Sequence, residues 1–249
     1  DELERTIKRR NRLPLSEYQI NDSITNRPYQ KRAIKRVAEC FENRQRKALL
    51  VMATGTGKTR TAISIVDMMM KQRWAKNILF LADRNALIIQ AKRNFVGLLE
   101  SLSCKDITKE KLDIDKDRMI FSTYPTMMNK IDNERLNDLL VYSPSHFDLI
   151  IIDEAHRSVY QKYKAIFEYF DALLIGLTAT PKSDVDKNTY TLFELEDHNP
   201  TDYYELDEAV REGWLVPPKQ ISVTTKFNRD GIKYSELTEE DKEQYEEDF

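Results

Sequence analysis

The sequence predicts an α/β protein whose doubly wound, mostly parallel sheet carries helices on both faces, and three observations support this. Five strand-length apolar runs, Ala48–Met52, Asn77–Ala82, Met119–Phe121, Phe147–Ile152 and Ala172–Leu177, alternate with segments of helical periodicity. Runs apolar at nearly every position fit strands buried on both faces, as in parallel sheets joined by right-handed crossovers. The first run leads straight into Ala53-Thr54-Gly55-Thr56-Gly57-Lys58-Thr59, a glycine-bearing turn that opens a helix.

Taken in order, residues 1–26 are charged and weakly patterned, with the basic run Lys8-Arg9-Arg10-Asn11-Arg12; the expectation is a solvated linker rather than a nucleic-acid-binding arm. A helix is signalled by Asn26 as cap, Pro28 in the first turn and apolar Ala33, Ile34, Val37, Ala38 and Phe41, ending near Asn43. The helix after the glycine turn carries Ile63, Val66, Met69 and Met70, and the next, from Asp83, carries Leu87, Ile88, Ala91, Phe95 and Leu98. Further helices are expected near Thr126 to Leu140 and from Tyr160 to Phe170. The expected organisation is a flank over 1–26, one α/β lobe over 27–220 and an acidic flank over 221–249.

With 249 residues, 41% of them hydrophobic, the chain can bury a sizeable core and is not a disordered polymer. No stretch reaches the ~18 apolar residues of a membrane span, and Asp1-Glu2-Leu3-Glu4-Arg5 is no signal-peptide start, so no membrane partner and a cytoplasmic location are expected. Cys40 and Cys104 stand 64 positions apart without zinc-type spacing and read as reduced thiols. Net charge is −3, but Glu236–Phe249 alone carries −7, leaving +4 on the rest; the acidity therefore does not exclude a nucleic-acid partner.

Ligands of doubly wound sheets bind at the carboxyl ends of the strands, so the residues just past each strand are the candidates for chemistry. In Thr54-Gly55-Thr56-Gly57-Lys58-Thr59-Arg60, Gly55 and Gly57 allow positive φ and a close approach of backbone N–H groups to phosphates. Lys58 adds a charge at the β/γ-phosphates, and the Thr59 hydroxyl can ligate Mg²⁺ at the helix N-terminus, which itself favours anions. Met52 stands where the strict eight-residue motif begins with glycine. After the most apolar strand comes Asp153-Glu154-Ala155-His156: Asp153 is placed to hold Mg²⁺, Glu154 to orient and deprotonate a water. His156, otherwise a surface imidazole, is a candidate link to Thr178-Ala179-Thr180-Pro181, which follows the next strand.

With these motifs in their order, the chain resembles a superfamily 2 helicase-type motor of the DEAH-box branch from about Arg27 to Pro218. More narrowly, Lys47 to Arg60, Phe80-Leu81-Ala82-Asp83-Arg84-Asn85-Ala86-Leu87, Ile151 to Ser158 and Tyr204-Glu205-Leu206-Asp207-Glu208-Ala209-Val210, with Gly213 and Leu215-Val216-Pro217-Pro218, resemble the R (HsdR-type) subunit of type I restriction-modification enzymes. That resemblance implies a RecA-like P-loop NTPase lobe, ATP with Mg²⁺ as cofactors, and ATP-driven translocation on double-stranded DNA beside methylating M and sequence-reading S subunits. It implies that Gln30 of Arg27-Pro28-Tyr29-Gln30 reads adenine, and that Arg84 and Thr123 touch nucleic-acid backbone. It implies too that Thr178 and Thr180 couple nucleotide state to DNA grip. The plainer readings are an exposed helix residue for Gln30 and helix caps from Asp83 and Thr123.

Such motors have two RecA-like lobes, and the R subunit has a nuclease domain needing an acid-x-Lys on a strand. No further sheet is signalled after Pro218, and the one acid-x-Lys triple, Glu240-Asp241-Lys242, lies in the acidic tail. The expectation is therefore a first motor lobe. Two other readings stay open: a stand-alone superfamily 2 helicase fragment, or a nucleotide-gated nucleic-acid-binding module without turnover.

Overall fold

The computed structural model of the chain describes residues 11–217 other than 110–112, 114–115, 134, 137–138, 141 and 156–158, with the side chains of 132–133, 135–136, 139–140 and 159–162 likewise outside it. Lys8 to Arg10, His156, Pro218 and the acidic Glu236–Phe249 thus lie outside the described residues.

The strands are β1 (Lys47–Met52), β2 (Ile78–Ala82), β3 (Cys104–Asp106), β4 (Met119–Thr123), β5 (Arg135–Leu136), β6 (Leu139–Leu140), β7 (Leu149–Asp153), β8 (Leu173–Thr178) and β9 (Asp202–Tyr204). The helices are α1 (Pro28–Glu42), α2 (Lys58–Lys71), α3 (Asn85–Leu98), α4 (Tyr124–Asn133), α5 (Val159–Tyr169), α6 (Lys187–Leu192) and α7 (Leu206–Arg211). Seven strands form one sheet in the order β3-β4-β2-β7-β8-β1-β9, every pair parallel. This is the doubly wound parallel α/β architecture that the alternation of apolar runs and helices predicts, and the RecA-like lobe that the resemblance implies.

Burial on both faces explains why the central strands read as continuous apolar runs. Along β1, Leu50 and Met52 face the core under α1, α2, α3 and α7, together with Ile34, Val37, Ile63, Val66, Phe95 and Ala209. Leu49 and Val51 face the opposite core with Met127, Ile166 and Tyr190 from α4, α5 and α6. The strand is a two-sided spine, and Met52, in the position of the motif's usual first glycine, is simply its last core residue.

Several expectations need correcting. α1 is capped by Arg27 and not by Asn26, and without a side-chain bond, because Pro28 at the first helical position holds its predecessor in the extended region (φ −81°, ψ 137°). The helix expected to run to Leu140 stops at Asn133, and Arg135–Leu136 pairs antiparallel with Leu139–Leu140; the intervening Asn-Asp favours a turn over a helix. The flank is solvated at most positions between Leu13 and Thr25 but is anchored at a few: Leu13 N donates to the Gln72 carbonyl (3.0 Å), and Leu15, Ile24 and Thr25 are buried. Their apolar residues are too sparse for a periodic signal. Edge strands β3 and β9 were not expected either, since each owes its form to a single neighbour, β4 and β1. Cys40 and Cys104 are both free thiols, and burial pushes Cys40 up to about 11.

Gly176 in β8 shows how tightly this sheet is covered. A Cβ there would overlap the buried Phe193 ring and come within 2.9 Å of Leu49 Cδ1. Gly176→Ala should therefore lower unfolding free energy by about 1–3 kcal/mol, the usual cost of overpacking. Urea titration is the check, and unchanged stability would show that Phe193 can give way.

Candidate nucleotide site

β1 delivers the chain to the glycine turn with Ala53 still bonded to the sheet, its N–H donating to the Tyr204 carbonyl of β9 (2.9 Å). The turn closes on itself, for Thr56 N–H and Oγ1 both reach the Ala53 carbonyl (3.2 and 2.6 Å). Thr56 is 0% exposed, so its side chain shapes the loop from within, while Thr54 and Gly55 lie on the surface. Gly55 and Gly57 have φ of +86° and +91°, the region that disfavours any residue with a Cβ. Gly57 is constrained twice, because a Cβ would also collide with Gln30 Nε2.

Gln30 is 2% exposed, which overturns the plain reading of an exposed helix residue. Its Nε2 donates to the Thr56 carbonyl (2.9 Å), and the neighbouring Tyr29 hydroxyl donates to the same oxygen (2.8 Å). α1 thereby holds the loop from behind. Its hold continues outward: Tyr29 stacks on Tyr204, with ring centroids 3.8 Å apart and planes 9° apart, and accepts from Arg27 Nη1 (2.7 Å).

Lys58 opens α2 and directs Nζ to Glu154 Oε1, 3.3 Å away, across the width of β8. Thr59 follows, half-buried, on the same first turn. Arg60 goes elsewhere, its Nη1 donating to the Ile24 carbonyl (3.2 Å). Asp153 ends β7, and Glu154 takes a left-handed conformation (φ +54°) that puts its N–H on Asp153 Oδ1 (3.1 Å). A non-glycine residue held at positive φ stores strain, and Ala155 N–H fixes the bend by donating to the Leu177 carbonyl of β8 (2.9 Å). Burial first, then the negative charge of Glu154, push Asp153 up to about 6; Asp83 adds to the push, while Lys58 and the Glu154 N–H oppose it. A half-buried carboxylate whose neighbours Glu154 and Asp83 add negative charge, with a threonine on the first turn of α2, is a donor set suited to a hard cation such as Mg²⁺.

β8 ends beside β1, Val51 pairing with Thr178, so the two loops are neighbours. Thr178 is buried and its Oγ1 accepts from Thr180 N–H (3.1 Å). Between the loops lies a cleft of about 280 Å³ lined by Val51, Ala53, Thr54, Ala179, Pro181, Glu205 and Leu206. At the next strand ends Ala82 pairs with Thr123. The Arg84 side chain is 68% exposed, with Nε 3.5 Å from Asp83 Oδ2, whereas Thr123 is buried and shares a hydrogen bond with Thr126 Oγ1 (3.0 Å). Asp83 is not the cap of α3; Arg84 holds that position and makes no side-chain cap bond. His156 lies outside the described residues.

Three side chains at this site receive no site role from the sequence. Tyr204 and Glu205 become neighbours of the loops only through the pairing of β9 with β1. Tyr124 is buried with no hydrogen-bond partner for its hydroxyl among the described residues, and it faces the charges of Asp153 and Asp83, which with burial push its ionisation upward.

Fold and site together define a RecA-like α/β domain with a glycine-bearing turn and an acidic strand end on one edge of the sheet. The chain belongs to the ResIII family, described as the res subunit of type III restriction enzymes, which it matches over residues 23–183. It is 35% identical to the Escherichia coli type I restriction enzyme EcoAI endonuclease subunit over 218 residues, 86% of this chain and 26% of that subunit. Among solved structures it is similar to a fragment described as an HsdR subunit of a type I restriction enzyme from Vibrio vulnificus YJ016, with TM-score 0.55 and 29% identity over 74% of this chain and 31% of that one. It also shares its fold with the Sulfolobus solfataricus SWI2/SNF2 ATPase core, with TM-score 0.53 and 17% identity over 72% of this chain and 37% of that one. The chain thus spans about a quarter of the curated relative's length.

Because Asp153 titrates above its ordinary value of 3.8, its ionised form costs the native state stability. That cost is full above a pH of about 6, shrinks as pH falls through 6 and is gone below 3.8. Asp153→Asn should therefore be more stable than wild type by about 1–3 kcal/mol at neutral pH in EDTA, with the gap closing in acid. Urea midpoints across pH test this; a gap constant with pH would mean that another group carries the titration.

Proposed function

We propose that this chain is the ATP-binding first motor lobe of a type I restriction enzyme R subunit. The lobe drives ATP-dependent translocation of double-stranded DNA, in the cytoplasm, within a complex that includes the M and S subunits. Cleavage belongs to a nuclease domain elsewhere in the parent protein. The observation that carries the reading is the Lys58–Glu154 pair at 3.3 Å, which joins the phosphate loop to the acidic strand end in one site. Similarity to the EcoAI subunit, and to the HsdR fragment, supports the choice of restriction motor over stand-alone helicase.

In this reading Gly55, Gly57 and the first turn of α2 cradle the phosphates with backbone N–H groups, and Thr59 and Asp153 hold Mg²⁺. The metal supplies charge neutralisation at the transferring phosphoryl group. Lys58 exchanges one anionic partner for another when phosphate enters, moving from Glu154 to the nucleotide. The released Glu154 carboxylate then orients the attacking water and takes its proton. Gln30 offers a second amide hydrogen and a carbonyl oxygen to the base while still holding the Thr56 carbonyl. Arg84, exposed at the end of β2, is the side chain best placed for DNA phosphate, and Thr123 contributes by shaping the turn beside it. Thr178 and Thr180 act as the coupling turn, with His156 completing the link.

Lys58→Ala removes a charge-assisted contact and should weaken Mg²⁺-ATP binding by about 1.5–3 kcal/mol. Titration calorimetry on wild type and variant measures it directly. Equal affinities would remove the P-loop lysine, and with it this function, from the account.

A further inference from the structure

The segment from β9 into α7 touches α1, the P-loop and the Thr178–Lys182 turn, although none of its residues belongs to a phosphate or metal motif. α1 is tied to it by Arg32, whose Nε donates to Asp202 Oδ1 (3.1 Å) and Nη2 to the Tyr203 carbonyl (2.6 Å). Tyr204 holds the P-loop, its carbonyl accepting from Ala53 N–H (2.9 Å) while its ring stacks on Tyr29. The next residue holds the other loop: Glu205 Oε1 accepts from the backbone N–H of Lys182 (2.9 Å), directly after Thr178-Ala179-Thr180-Pro181. Lys182 lies against the same segment, Nζ 3.6 Å from the centroid of the Tyr203 ring.

Glu205 occupies the N-cap position of α7, where the shorter Asp or Asn would accept from the first N–H groups of the helix. It makes no such bond. Its carboxylate is given to a residue 23 positions earlier, on a loop that shares the 280 Å³ cleft with Thr54. Two consecutive residues thus hold one loop each, Tyr204 the P-loop and Glu205 the Thr178–Lys182 turn.

We propose that Glu205 is a positioning residue, a latch through which a change at the P-loop is transmitted by β9 to the Thr178–Lys182 turn. The proposal rests on the nucleotide-binding reading given above and adds a route by which the bound state is felt at the coupling turn. The competing route is direct, since β1 and β8 are hydrogen-bonded neighbours and Val51 pairs with Thr178. The side-chain bond and the sheet make different demands on Glu205, and this separates them.

Backbone amide exchange of the chain, with and without Mg²⁺ and adenylyl imidodiphosphate, is the test. Without nucleotide, Glu205→Ala should speed exchange of the Lys182 amide by up to about tenfold, the loss of one hydrogen bond. With nucleotide, wild type should show slowed exchange at both the P-loop and the Thr178–Lys182 turn. Glu205→Ala should keep the slowing at the P-loop and lose it at the turn. Glu205→Gln retains an acceptor oxygen and should behave as wild type, which a merely charge-based or destabilising effect would not allow. The latch is overturned if Glu205→Ala keeps the slowing at the turn, if Glu205→Gln loses it, or if wild type responds at the P-loop alone. No response at the P-loop in wild type would instead overturn the nucleotide reading, and the latch with it.

Discussion

Lys58 and Glu154 are 96 residues apart in the chain and 3.3 Å apart in space, and the rest of the site depends on that meeting. Strand order brings it about. β7 and β1 lie on either side of β8, so residues just past their carboxyl ends face one another above it. The pair is also an electrostatic necessity. Asp153 is half-buried beside Glu154 and within the field of Asp83, and Lys58 is the cation that acts against this negative charge. Such a cluster favours added positive charge and an anion that competes for the lysine, which is what the proposed nucleotide phosphate with its metal would bring.

The loop that carries Lys58 is shaped from behind as much as from within. Thr56 closes the turn on Ala53, and its carbonyl receives both Gln30 and Tyr29. Burying two side-chain donors on one carbonyl fixes the loop against α1, since leaving either donor unpaired in that setting costs about 1–3 kcal/mol. Gly57 is the point where this support and the backbone geometry demand the same residue: φ is +91°, and Gln30 Nε2 occupies the space of a Cβ. In the proposed reading, α1 is therefore the element through which contacts to the base and to the phosphates would be mechanically linked.

What was legible in the sequence follows from what each element rests on. β1, β2, β7 and β8 are buried on both faces, and two-sided burial writes itself into continuous apolar runs that need no partner to be read. β3 and β9 are polar triplets made strands by a neighbour, so Cys104-Lys105-Asp106 and Asp202-Tyr203-Tyr204 look like loop when read alone. The stretch from Thr126 to Leu140 misled because its apolar residues suit a helix, while Arg135–Leu136 instead pairs antiparallel with Leu139–Leu140. At the site, the positive φ of Gly55 and Gly57 and the meeting of Lys58 with the acidic end of β7 match what the glycines and charges at strand ends predict. Tyr29 and Gln30 were visible as a pair, but their burial against Thr56 depends on how α1 crosses the sheet, which no local spacing reveals. The Thr123 hydroxyl is engaged with the Thr126 hydroxyl, a side-chain partner and not a helix N–H, and Arg84 is the more exposed of the two expected DNA contacts.

The central claim is that Lys58 is held by Glu154 and handed to the nucleotide, so that Glu154 restrains the lysine before binding and serves the chemistry after it. Mg²⁺-ATP affinity of Glu154→Gln, measured by calorimetry alongside turnover in the presence of duplex DNA, addresses that claim most directly. The substitution removes the ion partner and one negative charge near the phosphates, so the account predicts affinity equal to wild type or several-fold tighter, roughly up to 1 kcal/mol, with turnover abolished. Affinity weakened tenfold or more, or turnover preserved, would contradict it.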